Sequence, residues 1–283
     1  MRFGNAAWGF RETTLDEQLK ITSDMGLELL ELGIANAPND LPEDSDGSQL
    51  DEVKALYRKY GVELLCAATG NDFTNGDDSD IKKIEHVIDM CQKLGVKYLR
   101  IFAGFSPVSD VVGQRWDNMI SCLNRVYAYA KEKNVIPVVE THGGVNAFDD
   151  GVEHFMSTSA EPHALLKMIS EVPDIQINYD PANLYAVGIG HPEDVYEKIK
   201  DKVCYAHLKD FTAQKSGHLL PSACGESDMD WSAILCAMKD FNGPALFEYE
   251  NTGDVADGCR RSLEYIQSKL SALQGKTCVY KII

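Results

Sequence analysis

A single (β/α)8 TIM barrel over residues 1–283, with its active site at the C-terminal ends of the strands, is the fold this sequence predicts. Three observations lead to it. Short apolar runs alternate with longer amphipathic stretches, the pattern of parallel βαβ units. A glycine or asparagine recurs where a helix stops before the next strand, at Gly26, Gly61, Gly95, Asn134 and Gly243. The length, 283 residues, is close to the roughly 250 of a typical barrel.

Candidate strands begin near Phe3, Leu27, Val62, Val96, Val135, Ile175, Lys202 and Pro244. Between them, Leu15–Met25 sets Leu15, Leu19 and Thr22 on one helical face. Ile81–Leu94 does the same with Ile81, Ile84, Ile88 and Cys91, and Trp116–Glu132 and Ser262–Leu273 share the spacing. A doubly wound open sheet would need a phosphate-binding glycine turn after the first strand, and NAAWGFRET does not supply it. Ala37–Gly47, Asn71–Asp80, Gly143–Ala160 and Phe211–Asp230 read as loops. In a barrel all four emerge at the C-terminal face, as candidate lids.

The formal net charge of -17 disfavours nucleic-acid partners. It leaves a small anionic substrate open, because a metal and a few lysines invert the local field. No apolar run of about 18 residues is present, so no membrane span is expected. The opening MRFGNAAWGF lacks the apolar core of a signal peptide. The 8 cysteines form no C-x-x-C pair and read as scattered reduced thiols in a cytoplasmic protein.

The last four candidate strands each end in a metal-capable residue: IPVVETH, IQINYDPAN, KVCYAHLKD and PALFEYEN. Charged residues rarely end an apolar strand without a partner. Residues two apart share a strand face. That sets Glu140 with Val138 and His142, Asp180 with Asn178, His207 with Tyr205 and Lys209, and Glu248 with Leu246 and Glu250. Any one of these acids is as readily a helix N-cap or a salt-bridge partner. As a set, three carboxylates and an imidazole suit one divalent ion such as Mn²⁺, Co²⁺, Zn²⁺ or Mg²⁺. Parity does not separate Glu248 from Glu250.

In these residues the chain resembles the xylose-isomerase-like TIM-barrel superfamily, in its sugar phosphate isomerase/epimerase branch. The resemblance is carried by the Glu of VVETHGG, the Asp of NYDPANL, the His of AHLKD, the Glu of LFEYE and the element CGESDMDW. It implies that Glu140, Asp180, His207 and Glu248 hold the metal, with Glu248 preferred over Glu250, and that Glu140 and Glu248 are the catalytic acid/base pair. It further implies a small sugar-like substrate, proton transfer through a metal-stabilised enediolate, and a homo-oligomer. The chain departs from the pattern at Ser227, where a second glycine is usual, at Asn183, where some epimerases have His, and at Asn146, which is not an acid.

His142, Asn183, Lys209 and Glu226 are candidate substrate-binding residues. The competing roles are a structural hydrogen bond for His142, a helix cap for Asn183 and a salt bridge for Lys209. Glu31 lies near the substrate or pairs with Arg100, Trp8 and Phe102 line the pocket floor or the core, and His218 lies in a loop that closes on the site. His86, His154, His163 and His191 have no constellation around them and read as surface or capping residues. The expected activity is a metal-dependent sugar isomerase or epimerase. A lyase of the inosose or dehydroshikimate dehydratase type is the alternative on the same metal site. An endonuclease IV-like enzyme would need more His ligands and a basic groove, and a noncatalytic sugar-binding protein would not need four intact ligands.

Overall fold

The computed structural model describes residues 1–75 and 78–273. Cys278, and positions 76 and 77 of the expected loop Asn71–Asp80, lie outside the described residues.

The chain opens with β1 (Arg2–Asn5), α1 (Leu15–Asp24), β2 (Leu29–Gly33), α2 (Gly47–Tyr60) and β3 (Glu63–Ala68). Next come α3 (Asp78–Leu94), β4 (Tyr98–Ile101), α4 (Gln114–Glu132) and β5 (Ile136–Glu140). A hairpin follows, β6 (Gly144–Phe148) and β7 (Gly151–Phe155), then α5 (Pro162–Glu171), β8 (Ile177–Tyr179), α6 (Pro181–Ala186), α7 (Pro192–Ile199) and β9 (Val203–Leu208). A second hairpin, β10 (Asp210–Ala213) and β11 (Leu219–Ser222), precedes α8 (Trp231–Ala237), β12 (Pro244–Phe247) and α9 (Val255–Leu273).

Eight parallel strands close into a barrel in the order β1-β12-β9-β8-β5-β4-β3-β2. All eight predicted strands are present, within about two residues of their expected starts. The helix stops behave as the sequence implies at four of five places. Gly26, Gly61, Gly95 and Asn134 all have positive φ, where a side chain with Cβ is disfavoured. Gly243 is different: a Cβ there would lie 2.5 Å from the Cys204 carbonyl oxygen, so close strand packing is the reason for glycine. Side chains cap the starts of α1 and α2, with capping boxes Thr14/Glu17 and Asp46/Gln49.

Two apolar layers result. The larger lies between barrel and helices and includes Leu30, Leu32, Ile84, Leu99, Val139, Leu165, Ile177, Leu208 and Phe247. The smaller fills the barrel lumen with Ala6, Leu29, Cys66, Val138, Tyr205 and Leu246. Burying each large lumen side chain contributes on the order of 1.5–3 kcal/mol.

Two expected loops are not loops. Gly143–Ala160 and Phe211–Asp230 contain the hairpins β6–β7 and β10–β11, which join as a four-stranded antiparallel sheet in the order β10-β11-β7-β6. The two hairpins meet at the single register pair Leu219↔Val152. His218 Nδ1 lies 2.5 Å from Asp150 Oδ1 and its ring stacks on Phe148 at 4.1 Å, which ties the seam at its outer end.

The thiol expectation is corrected at one position. Cys66, Cys91, Cys122, Cys204, Cys224 and Cys259 are thiols, whereas Cys236 is disulfide-bonded. The sequence around Cys236 carries no local signature of pairing. Among the described residues no helix is long and apolar enough to cross a membrane.

Candidate active site

The period of two along a strand builds the site directly on the lumen core. One step above Leu29, Tyr98, Val138, Tyr205 and Leu246 stand Glu31, Arg100, Glu140, His207 and Glu248. All five are buried, with at most 3% exposure. Asp180, at the N-cap of α6, completes the layer and accepts from Asn183 N. Because β5, β8, β9 and β12 are neighbours, the residues at their ends converge. One ligand-capable atom from each of Glu140, Asp180, His207 and Glu248 lies within 4.8 Å of the others. Glu250, although it shares Glu248's parity, stands one step higher and is bonded to Lys209.

Lys209 is the centre of the charge network. Its Nζ donates to Glu250 Oε1 at 2.6 Å and Glu248 Oε2 at 2.7 Å, and lies 3.3 Å from Asp180 Oδ2. Burial pushes its ammonium pKa down, but four carboxylates outweigh that and raise it well above the usual value. His207 Nδ1 faces Glu248 at 3.5 Å and Glu140 at 3.6 Å, and its Nε2 faces Glu31 at 3.4 Å. Burial disfavours the imidazolium, yet Glu248, Glu31 and Glu140 together raise it well above the normal range. Burial likewise pushes Glu140 up, and His207 and Arg100 override it to about 2. Asp180 goes the other way: burial, reinforced by Glu140 and Glu248 and opposed by Lys209, lifts it to about 7.

Several buried polar atoms here have ion-pair contacts but no hydrogen bond among the described residues: Asp180 Oδ2 and both ring nitrogens of His207. Such atoms cost about 1–3 kcal/mol each in a native interior. Their convergence with two further carboxylates is a donor set that fits a hard or borderline divalent cation. The residues present therefore fit the expected metal.

Glu31 is a buried carboxylate, for which the sequence offers a place near the substrate or a pairing with Arg100. Its firm partners are instead the Tyr205 hydroxyl, which donates to Oε1 at 2.6 Å, and Ala7 N, which donates to Oε2 at 3.0 Å. These hold it beside His207 Nε2, with burial raising its pKa and His207 and Arg100 lowering it more strongly. Arg100 Nε instead approaches Glu140 Oε2 at 3.4 Å. Asn183 Nδ2 donates to Glu140 Oε1 at 2.9 Å and its backbone N–H donates to the capping carboxylate of Asp180, so this residue holds two site carboxylates and is not itself the cap.

Above the charged floor lies a cavity of about 500 Å³, into which Glu140, Glu248, Glu250, Lys209 and Arg100 open. Trp8, Phe102, Phe105 and His142 line this cavity. His142 packs edge-on to Phe102 and Phe105 at 5.2 and 5.5 Å, and burial lowers its pKa. The roof comes from the lid sheet: Val145, Val152, His154 and Pro221.

His154 corrects its surface reading. It is on β7, its ring 6.4 Å from His142 and 5.0 Å from Phe211, and burial holds its pKa down at about 3. Glu226 is placed elsewhere: it accepts from Ala223 N and pairs with Arg261 of α9, and it does not line the cavity. His218 belongs to the lid seam. His86 bonds the Glu43 carbonyl, His163 pairs with Glu161, and His191 stands at the N-cap of α7 beside Glu193.

A family model described as xylose isomerase-like TIM barrel matches residues 19–269. The chain belongs to that family. No curated protein sequence matches it significantly. Among solved structures it is similar to the probable 3-DHS dehydratase AsbF of Bacillus anthracis, with TM-score 0.77, 16% identity and coverage of 94% of this chain and 99% of that one. The IOLI protein with a bound zinc atom gives TM-score 0.73 and 17% identity over 96% and 99% of the two chains. D-allulose 3-epimerase of Methylomonas sp. gives 0.71 and 16% over 95% and 98%. At this identity the likeness is one of fold.

Proposed function

We propose that this family member is a divalent-metal-dependent isomerase or epimerase of a small sugar or sugar phosphate. The observation that carries the reading is the buried convergence of Glu140, Asp180, His207 and Glu248, with polar atoms that make no hydrogen bond among the described residues, at the floor of a roofed cavity. These four residues would hold the ion. When bound, it supplies electrophilic stabilisation to substrate oxygens that gain charge as a carbon-bound proton leaves. Glu140 and Glu248 close the two outer strands of the four and are both held ionised, so each is ready to accept a proton. Two carboxylates flanking one carbon remove and return its proton, which inverts the centre. Asn183 fixes Glu140, while Lys209 and His142 meet substrate oxygens in the cavity. The neighbours named as an epimerase, a dehydratase and a zinc-containing protein agree with this chemistry.

A lyase outcome is supported by His142, which lines the same cavity two residues beyond Glu140, in reach of a substrate hydroxyl that would leave as water with the proton a glutamate has taken from carbon. Metal content should be measured for the wild type, His207→Ala and Glu248→Gln, followed by product analysis with ketoses, inososes and 3-dehydroshikimate. About one ion per chain, lost in both variants, together with an epimerised product supports the proposal. A dehydrated product moves the reading to the lyase. No ion after soaking in Mn²⁺, Co²⁺ or Zn²⁺ removes the metalloenzyme reading.

A further inference from the structure

We infer that His154, carried on the lid, is a substrate-binding residue that hydrogen-bonds a hydroxyl or carbonyl on the substrate face turned away from the carboxylate floor. The inference rests on the sugar-directed reading of the cavity and adds to it a reader of substrate stereochemistry.

The roof of the cavity is otherwise apolar. Val145 and His154 are register partners on β6 and β7, so they share one face of the lid sheet, and Val152 shares it two residues along β7. Val145, Val152, Pro221 and His154 line the cavity, while Glu153, of opposite parity, is exposed. His154 is thus the polar group of a greasy ceiling. As placed, both its ring nitrogens are closed off from the cavity and neither has a hydrogen-bond partner among the described residues; a half-turn about Cβ–Cγ keeps the ring plane and exchanges them with the ring carbons, which turns a nitrogen toward a ligand.

A histidine kept for structure uses at least one nitrogen on a protein group, because a buried polar atom left unpaired is destabilising. Here the ring is packed edge-on to Phe211 at 5.0 Å, which fixes its plane without engaging its nitrogens. His142, on the opposite side, is 6.4 Å away between centroids, too far for the rings to bond one another directly. An uncharged imidazole presents one donor and one acceptor, which matches a hydroxyl group. A polyol held by its oxygens on the floor would therefore meet one directional polar contact above, within an apolar frame. That arrangement distinguishes epimers by whether a hydroxyl points up to His154 or not.

The test compares His154→Phe and His154→Gln with wild type in the metal-loaded protein, using D-allulose, D-tagatose, an inosose and 3-dehydroshikimate as substrates. Phenylalanine keeps the ring against Phe211 and removes both nitrogens, while glutamine returns a donor and an acceptor. For the compound turned over, the Phe variant should lose about tenfold in kcat/KM, the size of one neutral hydrogen bond. Its melting temperature should be equal or higher, since an unpartnered buried polar group is gone, and Co²⁺ affinity should be unchanged. The Gln variant should recover part of the loss. Undiminished kcat/KM in the Phe variant, or a loss that tracks a lowered melting temperature and is not repaired by Gln, overturns the role of His154 alone. A wild type that turns over none of the four removes the sugar-directed reading, and this role with it.

Discussion

Replacing Lys209 with methionine tests whether the site is a charge-balanced cation trap. The ammonium lies 2.6 Å from Glu250, 2.7 Å from Glu248, 3.3 Å from Asp180 and 4.0 Å from Glu140, at 2% side-chain exposure. Methionine fills nearly the same volume and removes only the charge. Carboxylates that lose a buried partner cost about 3–5 kcal/mol, and a chain this size shifts by roughly 2–4 °C per kcal/mol, so the melting temperature should fall by about 6–20 °C. Because the folded pKa of Lys209 is raised, the wild-type advantage is complete below the ordinary lysine range and fades only as pH rises through the folded value. A divalent ion binds the same carboxylates, and at about 100 times its Kd it returns about 2.7 kcal/mol. The assay is thermal unfolding near neutral pH, once in EDTA and once in Co²⁺. A variant that melts with wild type in EDTA refutes the charge-balance argument. A deficit that Co²⁺ leaves untouched refutes the placement of the ion among these residues.

Three further outcomes follow from the same geometry. Glu248→Gln should abolish Co²⁺ binding, whereas Glu250→Gln should retain it, because Glu250 stands one step above the four converging groups; equal loss in both, by titration, would contradict the layer assignment. Glu31→Gln should weaken Co²⁺ binding by about 10- to 100-fold, the usual effect of loosening the group that orients a ligand histidine, and an unchanged affinity would show that Glu31 does not position His207. Asp180, lifted to about 7, carries a proton below that pH which an incoming cation must displace. Apparent Co²⁺ affinity should therefore climb as pH rises from 5 to 7, by up to about tenfold per unit for each proton released. A flat profile over that range would contradict the raised carboxyl.

The barrel and its ligand layer are legible in the sequence because both depend on local periodicity. An apolar run with an acid or histidine at its end declares a strand and the face that residue shares, which is how Glu140, Asp180, His207 and Glu248 come forward as a set. What parity cannot deliver is height along the barrel axis, so Glu248 and Glu250 separate only once the strands are in register. Glu31 was visible as a strand-end acid, but its partners Tyr205 and Ala7 come from elements far away in the chain. The strands within the candidate lids escape the sequence for a different reason. VNAFDDGVEHF carries an Asp-Gly turn between alternating segments, a usable hairpin signal that was read as loop polarity. With the hairpin unseen, His154 had no neighbours. Glu226 sits in a family-like element, and the pull of Arg261 in α9 on it is not a local property.

The roof is assembled from two separate hairpins, each only a few residues downstream of a residue of the charged floor: β6–β7 after Glu140 and β10–β11 after His207. Floor and roof are therefore encoded in adjacent but separate segments of the chain. Mutation can lengthen, shorten or recolour either hairpin while the strands that anchor the reactive groups keep their lengths and register. A lineage built this way can wander among substrates at little risk to its chemistry. For a protein engineer, the economical library is a pair of short hairpins, with the barrel left untouched.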